Sequence, residues 1–118
     1  MALVQQDVII EQGATFQQLW EINNKQLATG YTFSAKFRPS HSSSTVLFTL
    51  SSTASPATLT VAHVGPHTHV TANYAASLTA AFGAPSDGVY DLEYTQTSTS
   101  VVTRAAEGSY YVTPEATR

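Results

Sequence analysis

Three observations predict an all-β fold, an antiparallel sandwich of immunoglobulin-like general architecture. About eight short segments carry apolar residues with period two. Clusters of Gly, Pro, Asn and Ser punctuate them, and a single alanine-rich stretch, residues 74–82, reads as one short helix. At 118 residues the chain holds one core, so a single domain spanning 1–118 is expected, with residues 114–118 as a short extended tail.

The first strand runs from Val4 to Ile10. Its consecutive Val8, Ile9 and Ile10 suggest burial on both faces or an edge covered by a partner, and Gln12-Gly13 ends it. In Thr15 to Ile22 one parity holds Phe16, Gln18, Trp20 and Ile22, which places Trp20 in the core. Phe16, Leu19, Trp20 and Asn23 also fit helical spacing, a reading that the β-rich context disfavours. Tyr31 to Arg38 is the clearest strand, with Tyr31, Phe33, Ala35 and Phe37 on one face and Thr32, Ser34, Lys36 and Arg38 on the wet one; Pro39 stops it. The run Ser40 to Ser44 is a flexible connection by composition. Val46 to Leu50 follows, then Thr58 to Val64 and His67 to Ala72 as a hairpin across Gly65-Pro66. Asn73 is the expected N-cap of the helix, Tyr74, Leu78 and Phe82 its docking stripe, and Gly83 its stop. A final hairpin joins Gly88 to Tyr94, with Tyr90, Leu92 and Tyr94 on one face, to Val101 to Val112 through a small polar loop.

Composition excludes several classes of function. Charged residues are 11%, the formal net charge is −3, and Lys25, Lys36, Arg38, Arg104 and Arg118 are scattered along the sequence, so no nucleic-acid partner is expected. No segment is apolar for long enough to span a bilayer, and Met1 to Asp7 lacks the pattern of a signal peptide; a soluble product with no membrane partner is expected. Cysteine is absent, which removes disulfides and thiolate metal sites.

The histidines form the one cluster to weigh as a metal site. His67 and His69 share a strand face. A two-residue loop would pair His63 with Thr68, whereas a three-residue loop would bring His63 opposite His69. No Asp, Glu or Cys lies nearby in sequence to complete the site, so neither metal nor cofactor is expected. Asp91 and Glu93 share a face as a glycosidase pair does, but an exposed strand face explains them more simply. No Gly-x-Ser-x-Gly elbow and no glycine-rich phosphate loop is present, so the expectation is a protein that is not an enzyme.

Two segments resemble a group of small virion proteins of tailed bacteriophages. One is Ile9-Ile10-Glu11-Gln12-Gly13-Ala14-Thr15-Phe16, followed by Leu27-Ala28-Thr29-Gly30-Tyr31 and the strand to Arg38; it is similar to that family's "QG" turn and "LTGYT" strand opening. The other is Tyr90-Asp91-Leu92-Glu93 with the run from Arg104 to Arg118, similar to a "YDLE" strand and an "EG…V.PEVTR" ending. Ala116 stands where that family has a β-branched residue, and the histidine hairpin has no counterpart. The resemblance implies an Ig-like sandwich similar in plan to the N-terminal domain of baseplate upper proteins, acting as a structural subunit without catalysis.

The function expected on these grounds is a virion building block of the tail, baseplate or adaptor region. It would be made soluble in the host cytoplasm, self-associate as a homo-oligomer and dock to other virion proteins. Capsid decoration is the rival placement. A carbohydrate- or host-surface-binding module, stacking sugars on Tyr94, Tyr110 or Tyr111, is the rival class. Edge-strand logic nominates Val8, Ile10, Pro114, Glu115 and Arg118 as interface residues.

Overall fold

Alternation in the sequence becomes alternation in burial. The computed structural model describes residues 4–54 and 57–115, which form nine strands and one short helix. They are β1 (Val4–Gln5), β2 (Val8–Glu11), β3 (Phe16–Ile22), β4 (Tyr31–Arg38), β5 (Phe48–Ser51), β6 (Leu59–Val64), β7 (His67–Tyr74), α1 (Ala76–Thr79), β8 (Ser86–Gln96) and β9 (Val102–Thr113). One sheet has the order β1-β9-β8-β4-β5, with β2 also on β9; the other has the order β3-β7-β6. The two enclose one core in which Trp20 and Val70 from the smaller sheet meet Phe33, Phe37, Tyr90 and Leu92 from the larger.

The expected parities of residues 31–38 and 90–94 hold: Phe33, Ala35, Phe37, Tyr90, Leu92 and Tyr94 are all buried. Side chains on one face of a strand must meet another layer, and here that layer is aromatic. Phe37 stacks on Phe48 at 4.2 Å between ring centroids and on Tyr90 at 5.1 Å, and Phe48 continues the column to Phe82 at 4.9 Å.

The first strand differs from expectation. It is two strands, β1 and β2, and both run parallel to β9, against the all-antiparallel arrangement expected. The interruption has a local cause. At Gln6-Asp7 the Asp7 carboxylate takes over the ladder, accepting from the Ser109 N–H at 3.0 Å, while the Gln6 carbonyl turns inward to accept from the Tyr90 hydroxyl. Gly108 lies against this crossing, and a β-carbon there would collide with the Gln6 carbonyl oxygen.

The helix also differs: α1 has four residues rather than the nine expected over 74–82. Asn73 and Tyr74 are held in the β7 ladder opposite Gln17 and Phe16, so Asn73 does not cap, and Leu78 is exposed rather than part of a docking stripe. The pin is Thr79, whose buried hydroxyl accepts from the Gly13 N–H at 3.1 Å and donates to the Ala14 carbonyl at 2.7 Å. Residues 40–44 carry a turn, Ser43 N–H to Ser40 carbonyl at 3.2 Å, that Arg38 holds through the Ser43 carbonyl at 3.0 Å.

Gly108→Ala displaces Gln6 and is expected to lower stability by about 1–3 kcal/mol in urea titration. Burial pushes the Tyr90 hydroxyl up to about 12, opposed by the Trp20 hydrogen bond and reinforced by the charge of Asp7. A phenol whose folded pKa lies above its unfolded value of 10.0 contributes stability that is complete below pH 10 and is lost as pH rises toward 12. Melting temperature should therefore fall across that window, and the fall should be smaller in Tyr90→Phe.

Candidate functional site

The structure presents three outward features, and the expected site residues divide among them.

The first is the β2–β9 edge. Val8 and Ile10 present no side chain to a partner, because both lie in the chain's own core at 1% and 0% exposure. The pleat turns Ile9 outward instead, 63% exposed, beside its register partner Tyr111 at 46%. Between Pro85-Ser86-Asp87 and Tyr111 to Pro114 runs a shallow groove that adjoins this pair. Tyr94 and Tyr110 are buried, which leaves Tyr111 as the one exposed stacking platform of the three tyrosines considered. Pro114 is exposed, but Glu115 is tied down: its N–H donates to Gln12 Oε1 at 3.1 Å, and Gln12 Nε2 donates to the Phe82 carbonyl at 2.8 Å. Gly13, at φ 83°, lets the Glu115 carboxylate approach where a side chain would collide. Arg118 lies outside the described residues.

The second feature is the histidine hairpin. Its register is set by the two-residue loop Gly65-Pro66, so His63 pairs with Thr68 and Val64 with His67. The imidazoles are engaged separately. His63 Nε2 accepts from the Ala28 N–H at 2.9 Å and His67 Nδ1 from the Asn24 N–H at 3.0 Å, while His69 Nε2 meets Glu21 Oε2 at 3.1 Å. Between them Thr68 Oγ1 accepts from the Leu27 N–H at 2.8 Å and donates to the Lys25 carbonyl at 2.7 Å. The hairpin therefore clasps the backbone of residues 24–28. Among the described residues no three His, Cys, Asp or Glu side chains are grouped to hold a metal ion.

The third feature was missed by reading the sequence alone. On the outer face of the larger sheet, Lys36 sits in register with Asp91, and Arg38 with Val89. Arg104 reaches the same place because β8 and β9 slip register beside Leu92 and Glu93: Leu92 pairs with Ala106 but Glu93 with Arg104, which leaves Ala105 as a bulge. Lys36, Arg38, Arg104, His41, Val89 and Asp91 line a concavity of about 260 Å³. Asp91 is paired: Arg104 lies 3.7 Å from it and 3.2 Å from Glu107. The signal in the sequence was Lys36 and Arg38 on one strand face; nothing local places Arg104 beside them.

No helix of the described residues is long and apolar enough to cross a membrane. Comparison of the chain with protein-family models and with curated proteins gives no match.

Thr68→Val keeps the shape of the clasp and removes both hydrogen bonds. The expected cost is about 2–4 kcal/mol in urea unfolding, with faster amide exchange at Lys25 to Ala28, because buried backbone groups lose their partners.

Proposed function

We propose that the chain is a non-enzymatic structural module of a tailed-bacteriophage virion, an Ig-like sandwich working by self-association and docking to other virion proteins. The observation that carries this reading is where the two phage-like segments lie. The Gln12-Gly13 turn of the first and the Pro114-Glu115 end of the second fold against each other through the Gln12–Glu115 hydrogen bond and the close approach at Gly13. Segments 103 positions apart thus form one knot, so the resemblance falls on residues with a joint structural task. The strand order supports the same reading. β3-β7-β6 facing β9-β8-β4-β5 is similar in order to an Ig-type B-E-D sheet against G-F-C-C′, with β2 placed on β9.

The docking element in this reading is the outward side of the β2–β9 edge rather than Val8 and Ile10. Ile9 and Tyr111 together expose apolar surface beside the Pro85–Pro114 groove, and an exposed aliphatic–aromatic pair suits a partner surface. Tail, baseplate or adaptor placement is the leading assignment, with capsid decoration as the rival that copy number separates from it. Of the carbohydrate-binding alternative, only Tyr111 is left as a platform.

Antibody labelling of intact particles, with copy number from quantitative mass spectrometry, tests the proposal. A ring of a few to a dozen copies at the tail is expected, hundreds over the shell would transfer the assignment to decoration, and absence from particles would sink it. Ile9→Glu with Tyr111→Glu is expected to cut incorporation at least tenfold while leaving the fold intact by circular dichroism.

A further inference from the structure

We infer that the concavity on the outer face of the larger sheet is a binding site for a single compact oxyanion, a carboxylate or a phosphate. The full chain has five Lys and Arg residues and a net charge of −3, yet three of the five line this one hollow, together with His41. Asp91 is the sole carboxylate among its lining residues. That concentration opposes the sign of the molecule as a whole, and a concave wall of net positive charge raises the local concentration of anions.

The three cations differ in availability. Arg104 is spent on Asp91 and Glu107. Arg38 is positioned rather than neutralised: one guanidinium N–H donates to the Ser43 carbonyl at 3.0 Å, an uncharged partner, which fixes the side chain and leaves its charge uncompensated. Lys36 is exposed and has no ion pair among the described residues, although Asp91 is its register neighbour. Lys36 and Arg38 project from the same face of β4 two residues apart, about 7 Å along the strand. One oxyanion between them can take a charge-assisted hydrogen bond from each. The turn at Ser40 to Ser43, held by Arg38, carries His41 to the rim, and Val89 supplies an apolar wall. A hollow of about 260 Å³ falls below the size of drug-like pockets and fits one small group. This inference is independent of the virion assignment.

The shared chemistry has two possible sources, free phosphate or phosphate ester on one hand and the carboxylate of an acidic sugar on the other. Titration of the 15N-labelled full chain with inorganic phosphate and, separately, with glucuronate distinguishes them, using sodium chloride at matched ionic strength as reference. Saturable amide shifts confined to Lys36, Arg38, His41, Val89 and Arg104 are expected with at least one of the two. Lys36→Met, which breaks no ion pair among the described residues, is expected to weaken binding about tenfold, the equivalent of one charge-assisted bond. Lys25→Met, on the distant 24–28 segment, is expected to leave affinity within twofold. Saturation by phosphate alone assigns the site to phosphate, and by glucuronate alone to acidic sugars. Non-saturating shifts with both, equal shifts with chloride, or equal losses in the two lysine variants would overturn the inference.

Discussion

The Tyr90 hydroxyl is the point on which the architecture turns. It accepts from the Trp20 indole N–H at 3.0 Å and donates to the Gln6 carbonyl, so a single oxygen links the small sheet, the large sheet and the break in the first strand. Trp20 and Tyr90 are both buried, and neither polar group has water as an alternative. A buried phenol with both roles filled adds two directional bonds to the packing of the core, as the buried Thr68 and Thr79 hydroxyls do at its ends. No buried side-chain nitrogen or oxygen among the described residues lacks a partner, so the same completeness extends through the rest of the core.

The aromatic column transmits that anchor sideways. Tyr90 stacks on Phe37, Phe37 on Phe48 and Phe48 on Phe82, which carries packing from the centre of the large sheet to the segment after α1. At that end Gln12 bonds the Phe82 carbonyl and Thr79 bonds the Gly13 turn. The knot between Gln12 and Glu115 is thus seated on the core rather than hanging from it. This explains why the 114–115 segment reads as a polar tail in the sequence yet behaves as part of the domain.

How much of this could be read from the sequence depended on the range of the interaction. The faces of residues 31–38 and 90–94 are set by strand period and were legible, as was the core position of Trp20. The split of the first strand was not, because its cause is a carboxylate bonding a backbone group 102 positions away. The nine-residue helix was over-read for a related reason: alanine content favours helix locally, but pairing of Asn73 and Tyr74 with β3 wins over intrinsic propensity. The histidine hairpin had two registers open, and the Gly65-Pro66 turn selects the one that separates His63 from His69. Edge logic points to Val8 and Ile10, but strand pleating turns both side chains into the core and leaves Ile9 outside.

The basic hollow shows the same limit from the other side. Strand period alone predicts that Lys36 and Arg38 share a face, but their meeting with Arg104 requires both the β4–β8 register and the bulge at Ala105. Without the bulge, alternation would put Arg104 on the parity of Ala106, which is buried in the core. The bulge lets two consecutive alanines, Ala105 and Ala106, sit inside while Arg104 and Glu107 both remain on the wet face. One inserted residue therefore does two things at once: it keeps the core apolar where the chain carries an arginine, and it delivers that arginine to the two carboxylates that would otherwise repel an incoming anion. Arg104 offsets one of the two negative charges of Asp91 and Glu107 and draws both carboxylates toward itself, so the backbone irregularity and the net positive charge of the hollow's lining have one cause.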